Sequence, residues 1–253
     1  MATDPPPITP IGYGAFKIGR NRGIKYPGDF DLPDDAQVDR LLNEVLDLGI
    51  GWIDTAPAYG LSEQRIGRSI SHRRDEFLLS TKVGESFQDG QSRFDFSADA
   101  VRSSVHQSLK HLRTDHLDVV FVHCARDDLS ILRDTDVLET LARLKTEGLL
   151  FSIGASIYTT DALRYAIPHV DYLMAEYNLD NPSHADAIDA AAQSGVTVVV
   201  KKGLASGRLE PEPAVRFVLS CSGVASLCVA SLNLDHLRQL VTLARRLRAW
   251  PAG

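Results

Sequence analysis

The feature that most constrains this chain is an alternation of two hydrophobic periods. Short apolar runs rich in Val, Ile and Phe fall at Ile8–Tyr13, Gly51–Asp54, Phe77–Val83, Leu117–His123, Leu150–Ala155, Tyr172–Glu176, Val196–Lys201 and Ser226–Ala230. Between them apolar residues recur every three or four positions, the spacing that lines one face of a helix. Val38, Leu41, Leu42, Val45 and Leu46 form one such stripe. Val101, Val105, Leu109 and Leu112 form another, as do Leu138, Leu141 and Leu144. Ala187, Ile188 and Ala191 mark a further helix, and Leu234, Leu237, Leu240, Val241 and Leu247 the last. Strands such as DVVFV and TVVV are apolar on both faces, as strands buried in a parallel sheet are. Strands alternating with helices specify a parallel α/β fold. Eight units over 253 residues leave about 32 residues each, the size of one strand, one helix and two short loops. Eight units predict closure into a compact (β/α)8 barrel; on the count alone an open doubly wound sheet remains an alternative. No composition break marks a linker, so one domain over residues 1–253 is expected, with residues 1–7 as a Pro-rich arm.

The punctuation agrees. Ser97 stands where it can cap the third helix, and Gly49, Gly148 and Gly195 follow helical stretches. The formal charge is −6, which argues against non-specific nucleic-acid binding. Arg245, Arg246 and Arg248 cluster near the end of the last helix, where cations complement its dipole. No apolar run approaches the ~18–20 residues of a membrane span. The opening MATDPPPITP lacks the basic start and apolar core of a secretory leader. Cys124, Cys221 and Cys228 are odd in number, form no CxxC and read as buried small hydrophobes. A cytoplasmic protein is expected, monomeric or a small homo-oligomer, with no nucleic-acid or membrane partner.

In a barrel of this kind the reactive residues stand at C-terminal strand ends and in the loops beyond them. Asp54 ends the second strand, Lys82 closes the third and His123 the fourth; Tyr59 lies in the loop after Asp54. Each has an ordinary alternative: a helix cap, a rim charge, a core ring, a packing aromatic. Together they make a site for chemistry at a carbonyl. A phenol gives up its proton more readily beside an ammonium that stabilises the phenolate. Asp54 holds that ammonium by a charge-assisted hydrogen bond. His123 orients the substrate oxygen and shares its developing charge. The hydride must come from a cofactor.

These residues sit in GYGAFKIG, WIDTAPAYGLSEQRIG, LLSTKVG, FDFSADAVRSSVHQSLKHLRTDHLDVVFVH, SIGAS, EYNL, KKGLASGRL and ASLNLDHL. In these motifs the chain resembles the aldo-keto reductases, in the branch that includes sugar dehydrogenases such as galactose and fucose dehydrogenases. The resemblance implies a (β/α)8 barrel, a catalytic tetrad on Asp54, Tyr59, Lys82 and His123, and a nicotinamide cofactor, NADPH or NADH. It implies a cofactor site built from Gly14, Ser156, Glu176, Lys201, Gly203, Leu204, Ser206, Gly207, Arg208, Ser231 and His236. Gly12, Gly14 and Gly19 do not make the fingerprint G-x-G-x-x-G. The chain departs from the family around the nicotinamide: Ile157 follows Ser156 where an Asn is usual, Met174 replaces a Gln, and Lys201 replaces a stacking aromatic. In the clamp for a ribose 2′-phosphate only Ser231 is kept, with Ala230 and His236 at the other positions and Arg238 as a possible substitute. NAD use or dual use therefore becomes more plausible than for a typical member. No metal site is expected; His123 and Cys124 are adjacent but alternate across a strand.

The expected reaction is reduction of a small aldehyde or ketone, or oxidation of a sugar-like alcohol, with Tyr59 as general acid or base. Two other readings keep the same residues: a redox-neutral elimination or isomerisation, and a non-catalytic barrel binding a nucleotide and a protein partner. The loop over residues 83–96 is expected to line the substrate pocket, with Glu85, Gln88 and Arg93 as its polar groups. Only Glu210–Pro213 separate GLASGRL from the next helix, and the last helix is followed only by residues through Gly253, which predicts a lightly covered site.

Overall fold

The structure is a computed structural model describing residues 6–24 and 28–251. The arm expected over residues 1–7 lies outside the described residues except for Pro6 and Pro7. The strands are β1 (Ile11–Gly14), β2 (Trp52–Asp54), β3 (Leu78–Val83), β4 (Glu85–Gln88), β5 (Gln91–Phe94), β6 (Leu117–His123), β7 (Leu150–Ser156), β8 (Tyr172–Glu176), β9 (Thr197–Lys201) and β10 (Val224–Val229). The helices are α1 (Asp35–Asp47), α2 (Ser62–Ser69), α3 (Ala98–Leu112), α4 (Asp128–Asp134), α5 (Val137–Thr146), α6 (Thr160–Ala166), α7 (Ala185–Gln193), α8 (Pro211–Ser220) and α9 (Leu234–Leu247). Among the described residues eight parallel strands close in the order β1-β2-β3-β6-β7-β8-β9-β10, and β10 pairs back to β1. Closure decides between barrel and open sheet: the fold is a (β/α)8 barrel.

Local chemistry sets the elements. Asp34 caps α1 by accepting from the Gln37 amide, while the Gln37 side chain accepts from the Asp34 amide. Ser97 accepts from the Ala100 amide at the start of α3. Gly49, Gly148 and Gly195 take φ of 80°, 80° and 83°, the left-handed turn that ends a helix.

Two apolar layers result. Trp52, Leu78, Val119, Phe121, Met174 and Val199 fill the barrel interior. The stripes on the helices, Leu42, Val105, Leu141, Ile188 and Leu240 among them, pack outside the strands. Truncating one of these buried Leu or Ile residues to Ala costs about 2–5 kcal/mol. The interior leaves no room for a side chain at position 12, where a Cβ would stand 2.1 Å from Trp52 Cε3. Gly12 is thus a packing residue, in line with the failed dinucleotide fingerprint.

The sequence pattern missed several elements. Residues 83–96, read as a loop, contain the antiparallel hairpin β4–β5. Helices α2, α4 and α6 carry too short an apolar stripe to signal themselves. Pro211–Pro213, read as connection, form the first turn of α8, where proline lacks no needed donor. Of the cysteines Cys124 is buried, but Cys221 and Cys228 are only partly so; all three are free thiols. No helix of the described residues is long and apolar enough to cross a membrane.

Candidate active site

At the C-terminal ends of the strands the barrel opens into a cleft of about 950 Å³. Asp54, the last residue of β2, and Lys82, on β3, meet below its surface with Nζ 2.6 Å from Oδ2. Both are almost fully buried, at 2% and 1% exposure. The other Asp54 oxygen accepts from Ser80 Oγ at 2.8 Å, and Ser80 in turn accepts from Trp52 Nε1 at 2.9 Å. Asp54 therefore caps no helix. Lys82 Nζ makes a second bond to the Thr55 carbonyl at 2.7 Å and lies 4.8 Å from the centre of the Tyr59 ring. An ion pair so deeply buried is held firmly: removing one partner costs about 3–5 kcal/mol.

Tyr59 ends a short turn, Pro57–Tyr59, directly after β2. Its ring meets Phe16 edge-on at 5.1 Å and His123 edge-on at 6.1 Å. The backbone of Gly19 fixes this turn from outside. A Cβ on Gly19 would lie 2.1 Å from the Tyr59 carbonyl oxygen, and the Leu61 amide donates to the Gly19 carbonyl. Below the turn Ser62 Oγ donates to the Ala15 carbonyl, and the buried Glu63 accepts from Thr81 Oγ1 at 2.6 Å. The tyrosine thus stands on a rigid platform tied to the segment after β1 and to β3.

His123 ends β6 and opposes Ser156 of β7 in register. Its Nδ1 lies 2.9 Å from Glu85 Oε2 on the hairpin. Asp54, Tyr59 and His123 line the cleft, and Lys82 lies behind them.

Of the residues expected to hold a cofactor, Gly14, Ser156, Lys201, Gly203, Leu204, Ser206, Gly207, Arg208, Ser231 and His236 all line the cleft. Glu176 does not; its carboxylate pairs with Lys202 Nζ, which does. Lys201 Nζ reaches across β8 to donate to Ser156 Oγ at 2.9 Å, 4.3 Å from the Tyr158 ring centre. Among the described residues no carboxylate lies within ion-pair distance of it, whereas Lys82 and Lys202 each have one. Burial, helped by neighbouring Lys202, pulls its pKa down to about 7. Lys202, Ala205, Ser206 and Gly207 all have positive φ, from 46° to 87°. Such turns turn backbone N–H groups toward anions, and side chains at non-glycine positions are strained there. Asn178 of the EYNL motif fastens this turn by donating to the Lys202 carbonyl at 3.0 Å. Arg238 pairs with Glu44 and Asp235, away from the cleft.

Lys17, Arg20, Arg126, Tyr158 and Gln239 also line the cleft and were not singled out in the sequence. Lys17 and Arg20 follow the first strand, so the rule that pointed to Asp54 would have found them had it been applied there. Tyr158 is held by Asp128, whose Oδ2 accepts from the Tyr158 and Thr159 amides. That contact joins the start of α4 to a loop 30 residues on, a distance no local pattern signals.

Comparison with known proteins agrees with this architecture. The family model described as "Aldo/keto reductase family" matches residues 10–246. A D-arabinose 1-dehydrogenase of Saccharomyces cerevisiae is 33% identical over 63% of this chain and 46% of its own length. An L-galactose dehydrogenase of Arabidopsis thaliana is 29% identical over 80% of this chain and 63% of its own length. The chain thus spans about half to two thirds of these relatives. A crystal structure from Pseudomonas aeruginosa, assigned to the aldo-keto reductases, superposes with a TM-score of 0.87 at 41% identity, covering 95% of this chain and 91% of that one. With the family model matched from the start of β1 to the end of α9, the chain belongs to the aldo/keto reductase family.

Proposed function

We propose that the cleft binds NADPH or NADH and carries out the reversible reduction of a small aldehyde or ketone to an alcohol, with a sugar-like alcohol as the oxidised substrate. The observation that carries this reading is the convergence of Tyr59, Lys82, Asp54 and His123 at one end of the barrel. The donor set fits a dinucleotide. The left-handed turn over 205–207 with Arg208 suits a diphosphate, Ser231 and His236 stand further along, and the cleft volume is in the upper range of cofactor sites. When bound, the nicotinamide supplies or takes the hydride. Tyr59 gives a proton to the substrate oxygen in reduction and takes it in oxidation. Lys82, 4.8 Å from the ring centre, stabilises the phenolate, and Asp54 holds Lys82 in place. His123 holds the substrate beside Tyr59. Sugars are the substrate class favoured by the names of the two dehydrogenase relatives. The loss of all but Ser231 from the 2′-phosphate clamp supports use of NADH as well as NADPH. The same reading has the eight units fold as one domain, monomeric or in a small homo-oligomer, in the cytoplasm, with no nucleic-acid partner.

The test is turnover of D-arabinose, L-galactose and an aldehyde panel with both cofactors, followed by cofactor absorbance. Tyr59→Phe is expected to lower kcat about 10²- to 10⁴-fold with cofactor affinity retained. Unchanged turnover in the variant would refute the assigned acid. Substrate conversion without cofactor oxidation or reduction would favour the redox-neutral reading, and nucleotide binding without any turnover the non-catalytic one.

A further inference from the structure

Glu85 entered the sequence reading only as a polar residue of a pocket-lining loop. In the structure it opens β4 and reaches back to the end of β6, with Oε2 2.9 Å from Nδ1 of His123. Each side chain is only 13% exposed. The contact is an ion-pair approach and not a formed hydrogen bond, and Nδ1 is buried without a hydrogen-bond partner. Yet at this distance an unprotonated Nδ1 would set a lone pair against an anion, so Nδ1 is the nitrogen that carries a proton. Glu85 is itself fixed. Ser92 Oγ, across the hairpin, donates to its other oxygen at 2.5 Å. Burial raises the Glu85 pKa, but His123, Ser92 and Arg20 outweigh it and hold the carboxyl at about 2. Burial lowers the His123 pKa; Glu85 resists, while Lys82 and Lys201 add to the fall. A neutral imidazole protonated at Nδ1 has a bare Nε2. Nδ1 is buried against Glu85, and Nε2 is the ring nitrogen left toward the cleft.

We propose that Glu85 is a positioning residue: it fixes His123 with its proton on Nδ1, and the bare Nε2 then selects substrates that carry a hydroxyl on the carbon next to the reacting one. This rests on the redox reading of the cleft. A carbonyl oxygen is an acceptor and gains nothing from a bare nitrogen, so His123 does not take the role at that oxygen expected from the sequence, and the oxygen is left to Tyr59. The neighbouring hydroxyl donates to Nε2. The ligand class is therefore the α-hydroxycarbonyl compounds and the vicinal diols they become on reduction. A site built to receive a substrate O–H discriminates strongly against the analogue that lacks it, because its own polar group is left unpaired.

The tautomer is read directly from two-bond proton–nitrogen correlations of the 15N-labelled protein at pH 8. Protonated Nδ1 and bare Nε2 are expected in the wild type, and Glu85→Leu is expected to move the proton toward Nε2. The consequence is read from kcat/KM for glycolaldehyde relative to acetaldehyde, in the wild type, Glu85→Gln and Glu85→Leu. Comparing ratios between proteins cancels the intrinsic reactivities. The ratio is expected to fall at least ~10-fold in Glu85→Leu, mainly through KM for glycolaldehyde. A wild-type His123 protonated at Nε2 overturns the proposal even if no variant folds. A ratio unmoved in a folded variant overturns the selectivity. If neither aldehyde is turned over with either cofactor, the redox reading fails and the selectivity falls with it, while the tautomer is still decided by the spectrum.

Discussion

Two lysines four strands apart in the barrel order meet different fates at the same rim. Lys82 has Asp54 and the Thr55 carbonyl as partners; Lys201 has a serine hydroxyl and the face of a tyrosine. A cation without an anion resists protonation, which is why burial and Lys202 hold Lys201 at about 7. The unfolded chain takes up that proton at the ordinary lysine pKa near 10.5. Above that pH the residue costs the fold nothing. As pH falls from about 10.5 to 7 the unfolded state alone gains the proton, so the cost grows; below 7 both states are charged and it levels off. Lys201→Met removes this cost, while the lost bond to Ser156 subtracts a constant. Thermal unfolding between pH 6 and 10 is expected to show an advantage for the variant that grows as pH falls and flattens near 7. A difference that does not change with pH would mean that Lys201 keeps an ordinary pKa. The four residues Asp54, Tyr59, Lys82 and His123 were legible in the sequence because strand ends are legible. Of Glu85 only its place in the pocket lining was legible, and of Tyr158 nothing, because their partners come from other elements.

At the scale of elements the hairpin β4–β5 is the addition that the alternating pattern conceals. β5 is exposed along its whole length, β4 is only partly buried, and both carry mostly polar residues, so the periodicity that reveals a buried strand is missing. One local signal was present. Asp89–Gly90 is a two-residue turn between short alternating segments, and both residues have positive φ, 52° and 81°. A two-stranded hairpin alone is marginal, so something must hold it over the cleft. Arg20 does so from the segment after β1. Its guanidinium lies 3.3 Å from the centre of the Phe87 ring and donates to the Ala58 and Arg22 carbonyls at 3.0 and 2.8 Å. Losing a cation–π contact of about 0.5–2 kcal/mol lets the hairpin open roughly 2- to 30-fold more often. Arg20→Ala is expected to speed amide exchange by that factor in residues 85–94, with little change in the strands of the barrel. Equal acceleration everywhere would show that Arg20 supports the whole fold instead.

At the scale of the molecule a closed barrel has a seam wherever a loop on its outer surface leaves carbonyl groups able to accept further donors. One lies where α8 turns into β10. The helix ends at Ser220, the strand begins at Val224, and a turn over 221–223 joins them. A single side chain from beyond α9 closes it. Arg248 donates to the carbonyl oxygens of Leu219, Cys221 and Val224 at once, fixing the last helix against the preceding unit. Burial lowers its pKa somewhat, but a guanidinium stays charged throughout the stable pH range. The sequence reading took the cluster of Arg245, Arg246 and Arg248 as a complement to the dipole of its own helix. For Arg248 the carbonyls it serves belong to the end of α8, the turn after it and the first residue of β10, a pairing only the tertiary fold reveals. A hydrogen bond from a charged donor is worth about 1.5–3 kcal/mol, and carbonyls that lose a partner in a half-buried turn add to the loss. Arg248→Ala is expected to destabilise by about 2–4 kcal/mol, and at about 2–4 °C per kcal/mol for a chain of this size the Tm falls by roughly 4–16 °C. Arg248→Lys keeps the charge but offers one point donor in place of a fork, so it is expected to recover less than half of the loss. Full recovery by lysine would mean that charge near the helix end, rather than the three-way bond, is what holds the seam.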